Sequence, residues 1–475
     1  MNIRLLLILL IFAVGTTVAQ KAEFGEKFDY DTKSELDPKF VLIDNYNYYL
    51  LSAVNKTGLG LANNQIILRK FDQKNTLVET ITHPFPVLEG GGTLHNFIGS
   101  FAIGSEKAVV FTQSYSGKSK RDEVYQHVYD KTTKKFTSTL IMGFPITSVF
   151  KSGNVKVVKS ENGAFFFVNY MTGLSRKEPE VNQLMVLNGS SLTTEWKKEI
   201  TFTNDFLTHH IIGTNSGKAI YVRNPNSHKQ DNYLEVISEN EQNELKIGEN
   251  INIHEPVAIS IETQDYLLAF NHTTKGIRRG DFGDLLLYDL SSGTILQNNR
   301  IDGFNSVAKI KEVNFRYIVM QNNEIAIFTQ AKVDATPKPT PGTMGFPEKK
   351  FTYGPSFLIT LNFEGVLKSM KSIPSSSNNE ADLYHAYGLV NAKGQWYVHT
   401  GFDNGFYKWE YLFNNEKLSS SIGFHFHDDA YSGKRIQYIN QLLHYFPDTN
   451  KFLFAKITTA NDRTQMAVGT FSDVK

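Results

Sequence analysis

The sequence predicts an all-β propeller of eight four-stranded blades, with seven as the alternative count, closed by an N-terminal strand. Three observations predict it. A short apolar strand recurs along the whole chain, each copy after a turn rich in Gly, Asn or Asp. Each copy is followed by a polar loop and a further strand. No run of helical period and useful length follows the N-terminal segment. Repetition of one supersecondary unit marks a repeat architecture, and four short strands per unit mark a propeller.

The first element is Met1–Ala19. Arg4 supplies a positive start, Leu5–Val14 an apolar run, and Thr17 and Ala19 a small-residue cleavage pattern before Gln20. This reads as a secretory signal peptide, too short for a membrane span. Residues 20–475 are then expected to form one propeller domain in the periplasm or outside the cell.

The second strand of each unit is the clearest marker. These strands read YYLLSAV from Tyr48, AVVFTQS from Ala108, FFFVNY from Phe165, AIYVRN from Ala219, YLLAFN from Tyr266, IAIFTQ from Ile325, WYVHTG from Trp396 and FLFAKI from Phe452. Asn162-Gly163, Ser216-Gly217, Lys393-Gly394 and Asp448–Asn450 precede four of them. Such turns let the backbone reach positive φ and close hairpins. Third strands follow at Gln65, Val124, Gln183, Tyr233, Asp284, Ser356, Tyr407 and Thr464. A short turn and a fourth strand come next in most units, best seen in Leu285–Leu296 with Ser291-Ser292-Gly293 at its tip. The last unit stops at its third strand, and Glu23–Asp31 is expected to supply the missing one. That removes the open edge a linear array would leave. One insertion, Val333–Pro355, lies between strands two and three of the sixth unit; its alternate prolines Pro337, Pro339 and Pro341 predict an extended loop.

Composition narrows the function. With Arg4 removed, basic and acidic side chains balance at 48 each, which argues against nucleic acid. The chain has no Cys, so disulfides and thiolate metal sites are excluded. The expected molecule is a monomer with no membrane span.

In a propeller the loops between strands two and three share a face, here the top, with the links between units. His83, His95, His209, His210, His254, His385, His425 and His427 fall in or beside those links, His228 and His272 in the two–three loops, and His399 just before one. Only His127 and His444 read as elsewhere. Imidazole titrates near neutrality and ligates metals, so His210, His385 and His427 are candidate acid–base residues. In Phe424–Asp429, FHFHDD, His425 and His427 share a strand face, and with Asp428 could hold a divalent ion. Lys118, Lys120, Arg121, Arg278, Arg279, Lys349 and Lys350 make the top loops basic and are candidate ligands for an anion. Tyr115, Tyr170, Phe282, Tyr353, Tyr384, Tyr387 and Tyr407 could stack on sugar rings. Gly90-Gly91-Gly92 lacks the lysine and helix of a phosphate loop and takes no such role.

The repeat, with the Asp-x-x-x-Gly hairpin of YDLSSGTIL from Tyr288, resembles the broad eight-bladed class of quinoprotein-like and related secreted proteins. The N-terminal segment resembles those of Bacteroidetes-type secreted proteins. The resemblance covers architecture only. Three Trp and no cysteine pair depart from the quinoprotein dehydrogenases, and the Asp-box of sialidases is absent. Two functions are consistent with the residues. One is a binding or scaffold propeller whose top face holds a glycan or an extracellular or periplasmic protein. The other is a polysaccharide lyase using top-face His and Tyr on an anionic polymer.

Overall fold

A computed structural model describes residues 22–32, 34–44, 46–55, 64–172, 179–202, 206–225, 233–247, 251–273, 284–301, 310–334, 351–373, 387–402, 405–412, 417–418, 422–425, 435–460 and 463–472. The chain is a β-propeller of four-stranded antiparallel blades. Among the described residues, seven sheets are built from consecutive strands and one further sheet joins the two chain ends. Every second-strand marker lies in a strand at its expected place, and so does every third-strand marker except Asp284, which directly precedes one.

Sheet 1 is Glu35–Ile43, Asn47–Val54, Gln65–Asp72 and Leu77–Pro84; sheet 2 is Leu94–Ile103, Lys107–Ser116, Arg121–Asp130 and Lys135–Pro145. Sheet 3 is Asn154–Lys159, Phe165–Thr172, Glu180–Asn188 and Thr194–Phe202. Sheets 4, 5, 6 and 7 begin at Phe206, Ile251, Ile310 and Gly388. In the closing sheet Lys451–Ala460 pairs with Arg463–Ser472, and Glu23–Phe24 and Phe28–Asp29 pair with the latter. The N-terminal segment thus covers the edge that the last repeat leaves open.

Burial follows strand position. Second and third strands are buried on both faces and read as continuous apolar runs. Fourth strands alternate and are largely exposed, as in Thr194–Phe202. First strands contact first strands of the next sheet, which makes them innermost. Eight apolar clusters hold the sheets together, each spanning two successive sheets. One packs Tyr48, Leu50 and Phe71 of sheet 1 against Leu453, Ala455 and Val468 of the closing sheet.

Turn chemistry matches the residues. Asp289 accepts the backbone N–H of Ser291 at 2.8 Å, and Gly293 follows at φ +69°. Among the described residues the only helical turn is Val149–Lys151. The insertion is shorter than expected, because strands run through Asp334 and restart at Phe351. Pro355, placed in the loop by sequence, sits in that strand at a bulge opposite Ala331, where its missing N–H costs no ladder bond. Residues 335–350 lie outside the described residues.

The N-terminal clasp buries a charge. Lys456 is 1% exposed, with its Nζ 3.6 Å from the centre of the Phe24 ring. Burial, with a smaller contribution from Lys27, lowers its pKa to about 8. The unfolded chain therefore binds the extra proton between about pH 8 and 10.5, and stability is expected to rise with pH across that window. Lys456→Met is expected to stabilise the fold at pH 7 by about 1–3 kcal/mol and to flatten the rise. Urea melts of both proteins at pH 7 and 10 check this; equal pH dependence would refute it.

Candidate functional site

Second strands run from the bottom face to the top, and their two halves differ. The first halves are apolar: Tyr48–Leu51, Ala108–Phe111, Ala219–Val222 and Ile325–Phe328 are buried throughout. Four residues after each marker the chemistry changes. Ser52, Thr112, Asn169, Arg223, Thr329, Thr400 and Lys456 occupy that position, all buried. Only the fifth repeat breaks the pattern, with Phe270 there and buried Asn271 next. The repeat thus carries a polar layer just below the top face.

The innermost strands are irregular at the same level. Sheets 1, 2, 4, 5 and 6 each have a register shift there, at Leu36/Lys39, Phe97/Gly99, Thr208/His210, His254/Val257 and Phe315/Tyr317. Asp37 and Glu255 adopt φ +52° and +47° directly before Pro38 and Pro256. Proline is tolerated because the innermost strand has a free edge toward the channel. Bulges re-aim side chains and free backbone groups, and they concentrate beside functional sites.

The polar layer is most elaborate where sheets 2, 3 and 4 meet. Arg223, 0% exposed, donates from Nη1 to Glu180 Oε2 at 2.7 Å and to Thr208 Oγ1. Its guanidinium lies 4.0 Å from the Phe202 ring centre. Glu180 also accepts from the Thr208 N–H at 3.0 Å and from Asn182 Nδ2 at 2.8 Å. Asn182 in turn accepts from Asn169, which accepts from the Tyr221 hydroxyl, each at 2.8 Å. Burial works to raise the Glu180 pKa, but the Thr208 hydrogen bond and Arg223 outweigh it and hold the carboxyl below its ordinary value. In sheet 2, Asp122 accepts from Gln113 Nε2, the Gly153 N–H and the Tyr170 hydroxyl, each at 2.9 Å. Burial still leaves that carboxyl above the ordinary range.

Beside these groups a cavity of about 540 Å³ opens along the channel wall. Asn96, Gln113, Gly153, Asn154 and Lys156 supply its polar lining, and the first strands of sheets 2 and 3 form its sides. Burial lowers the Lys156 pKa, with Glu180 pulling the other way. Three top segments join above it. The Ser116 hydroxyl donates to the Gly91 carbonyl at 2.9 Å, and the Ile146 N–H to the Lys120 carbonyl at 3.0 Å. Lys118 lies along Gly90 and Gly92. The rim so formed exposes Lys118, Lys120 and Lys151, with Phe150 94% exposed and Val87 75% exposed.

The predicted site residues divide. Lys118 and Lys120 stand on this rim. Arg121 does not serve as a free cation: it pairs with buried Glu123 at 2.5 Å, which neutralises it. Tyr170 and Tyr387 are not stacking platforms; both are buried, their hydroxyls bound to Asp122 and to the Thr329 carbonyl. His210 lies in the innermost strand of sheet 4, next to its bulge. His425 ends the strand Ile422–His425. His385, His427, Asp428, Arg278, Arg279, Lys349 and Lys350 lie outside the described residues. Among the described residues no group of three or more His, Asp or Glu is placed to hold a metal ion.

Other histidines have structural partners. His127, assigned away from the top loops by sequence, lies buried on the third strand of sheet 2. Its Nε2 is 2.8 Å from Thr112 Oγ1 and its Nδ1 2.8 Å from Ser138 Oγ. His83 Nε2 reaches the same Ser138 hydroxyl at 2.7 Å, with the two imidazoles 5.3 Å apart. Burial lowers the pKa of His83, His95 and His127, the last to about 3.

The fold and its layers define a propeller with a polar, partly basic top. No family model and no curated protein matches the chain. Solved structures similar to it include the acylaminoacyl peptidase of Pyrococcus horikoshii, at 8% identity and TM-score 0.39, covering 91% of this chain and 60% of that one. The chain therefore spans less than two thirds of the peptidase. The β-propeller domain of the Trilobed protease from Pyrococcus furiosus is similar at 9% identity and TM-score 0.40, covering 86% of this chain and 99% of that one. An ulvan lyase bound to a glucuronate-containing saccharide gives 8% identity and TM-score 0.35, covering 78% and 90%.

Proposed function

We propose that this chain is a secreted or periplasmic binding propeller whose top face holds an anionic glycan, and that all eight sheets serve as blades of one ring. The carrying observation is the channel-wall cavity of about 540 Å³. Its volume falls within the ~300–1,000 Å³ of ligand sites. Amide side chains and free strand-edge backbone offer the donors and acceptors that sugar hydroxyls need. Lys156 within it and Lys118 and Lys120 above it favour a carboxylate or sulfate. Phe150 beside them offers an apolar platform. The eight inter-sheet clusters support the blade count.

A lyase at this face would need a base with a pKa near neutrality. Burial lowers the pKa of His83 and His95, and the candidate bases His385 and His427 lie outside the described residues. Binding without turnover is the result expected of a binding propeller. The test is a titration of residues 20–475 with anionic and neutral polysaccharides, recording unsaturated-product absorbance in the same wells. Anionic polymers should bind, and more weakly as salt rises. Lys156→Gln is expected to weaken binding about tenfold. Rising absorbance would assign the lyase reading instead, and no binding to any polymer would leave a protein partner.

A further inference from the structure

The opposite face carries a second cleft, of about 230 Å³, on the seam where the closing sheet meets sheet 1. We propose that it is a binding site for a single neutral pyranose. Its residues come from the bottom turns of both sheets: Tyr46, Tyr48 and Gln73 from sheet 1, and Phe446, Asp448 and Lys451 from the closing sheet.

Phe446 gives it an apolar wall, backed by Tyr48, which is 1% exposed. Tyr48 and Phe446 have centroids 6.3 Å apart, and Tyr48 stacks on Phe71 at 5.2 Å, which fixes its plane. The Tyr48 hydroxyl is held by Asn75 at 2.9 Å, so this ring cannot swing away. Tyr46 is 76% exposed beside this surface. Its backbone is set by an Asx turn, in which Asp44 Oδ1 accepts the N–H of Tyr46 and of Asn47 at 2.7 Å each. An aromatic ring displayed in this way, beside the Phe446 wall, suits the C–H face of a sugar.

The polar groups fit hydroxyls rather than an anion. Asp44 is neutralised by Lys131 at 2.7 Å, and Lys451 by Glu23 at 3.3 Å. Among the described residues no cation pairs with Asp448, and its carboxylate can accept two hydroxyl hydrogens. Gln73 and Thr449 complete a hydrogen-bonding rim. The small volume admits one ring rather than a chain. This chemistry differs from that of the basic top face, so the two sites fail or succeed independently.

A ligand bridging the last and first sheets binds only when the ring is closed, so it should raise the melting temperature in proportion to occupancy. The experiment is saturation-transfer NMR on residues 20–475 with methyl glucopyranoside, galactopyranoside and mannopyranoside at millimolar concentration, with thermal melts alongside. Transfer from at least one glycoside is expected, together with a concentration-dependent rise in Tm. Tyr46→Ala should abolish both while leaving the Tm of the free protein unchanged, because the side chain is exposed. Asp448→Asn should weaken binding about tenfold, whereas Lys156→Gln should not affect it. Absence of transfer from all three glycosides, or transfer that survives Tyr46→Ala, would overturn the proposal.

Discussion

Arg223→Met, with Glu180 left in place, is expected to lose about 3–5 kcal/mol of folding stability. Arg223 is fully buried, and its partner Glu180 is 2% exposed. Removing the guanidinium leaves a buried carboxylate without its hydrogen-bonded cation, and Lys156 acts on it only through space. The hydrogen bonds from Thr208 and Asn182 remain, but they stabilise an anion whose desolvation is no longer offset. Methionine occupies similar volume, so the packing on Phe202 is largely kept and the loss reports the charge. Arg223→Met combined with Glu180→Gln should recover much of the stability, since no net charge is then buried. Urea denaturation checks this: the midpoint should fall with the slope unchanged. A single-variant loss below about 1 kcal/mol would refute the account.

Acidification should destabilise the fold well before its surface carboxylates titrate. His127 is fully buried, and burial, with His83 nearby, lowers its pKa to about 3. His444 is lowered to about 4, also by burial. The unfolded chain takes up protons on these imidazoles below about pH 6.5 while the folded chain does not. The stability that these histidines contribute is therefore complete above pH 6.5 and falls as pH drops toward 3. For His127 alone the loss at pH 4 is about 3 kcal/mol. His127→Gln keeps hydrogen-bonding groups toward Thr112 and Ser138 without an ionisable ring, and should remove that share of the loss. Parallel denaturation curves for wild type and variant between pH 7 and 4 would contradict it.

Much of the architecture was legible from residue order. The marker strands are apolar runs bounded by Gly, Asn and Asp turns, and strand formation there depends on local chemistry that any reader of the chain can see. The same locality made the Asp289–Gly293 hairpin predictable, since its hydrogen bonds join residues two to four apart. The polar layer is written in the sequence too: Ser52, Thr112, Asn169, Arg223, Thr329, Thr400 and Lys456 hold one position of the repeat.

What sequence could not supply was any relation between distant turns. Arg121 counts as a loop cation until the fold sets it against Glu123, and Tyr170 as a stacking ring until Asp122 captures its hydroxyl. His83 and His127 are far apart in the chain yet share Ser138. Tyr46 and Asp448 stand at opposite ends of the sequence and line one cleft. The chain itself determined the strands, their turns and the strand that closes the sheet at its ends. Only the tertiary structure decided which charges are paired, which histidines stay neutral and where a cavity opens, because each depends on burial and on neighbours brought together from separate repeats.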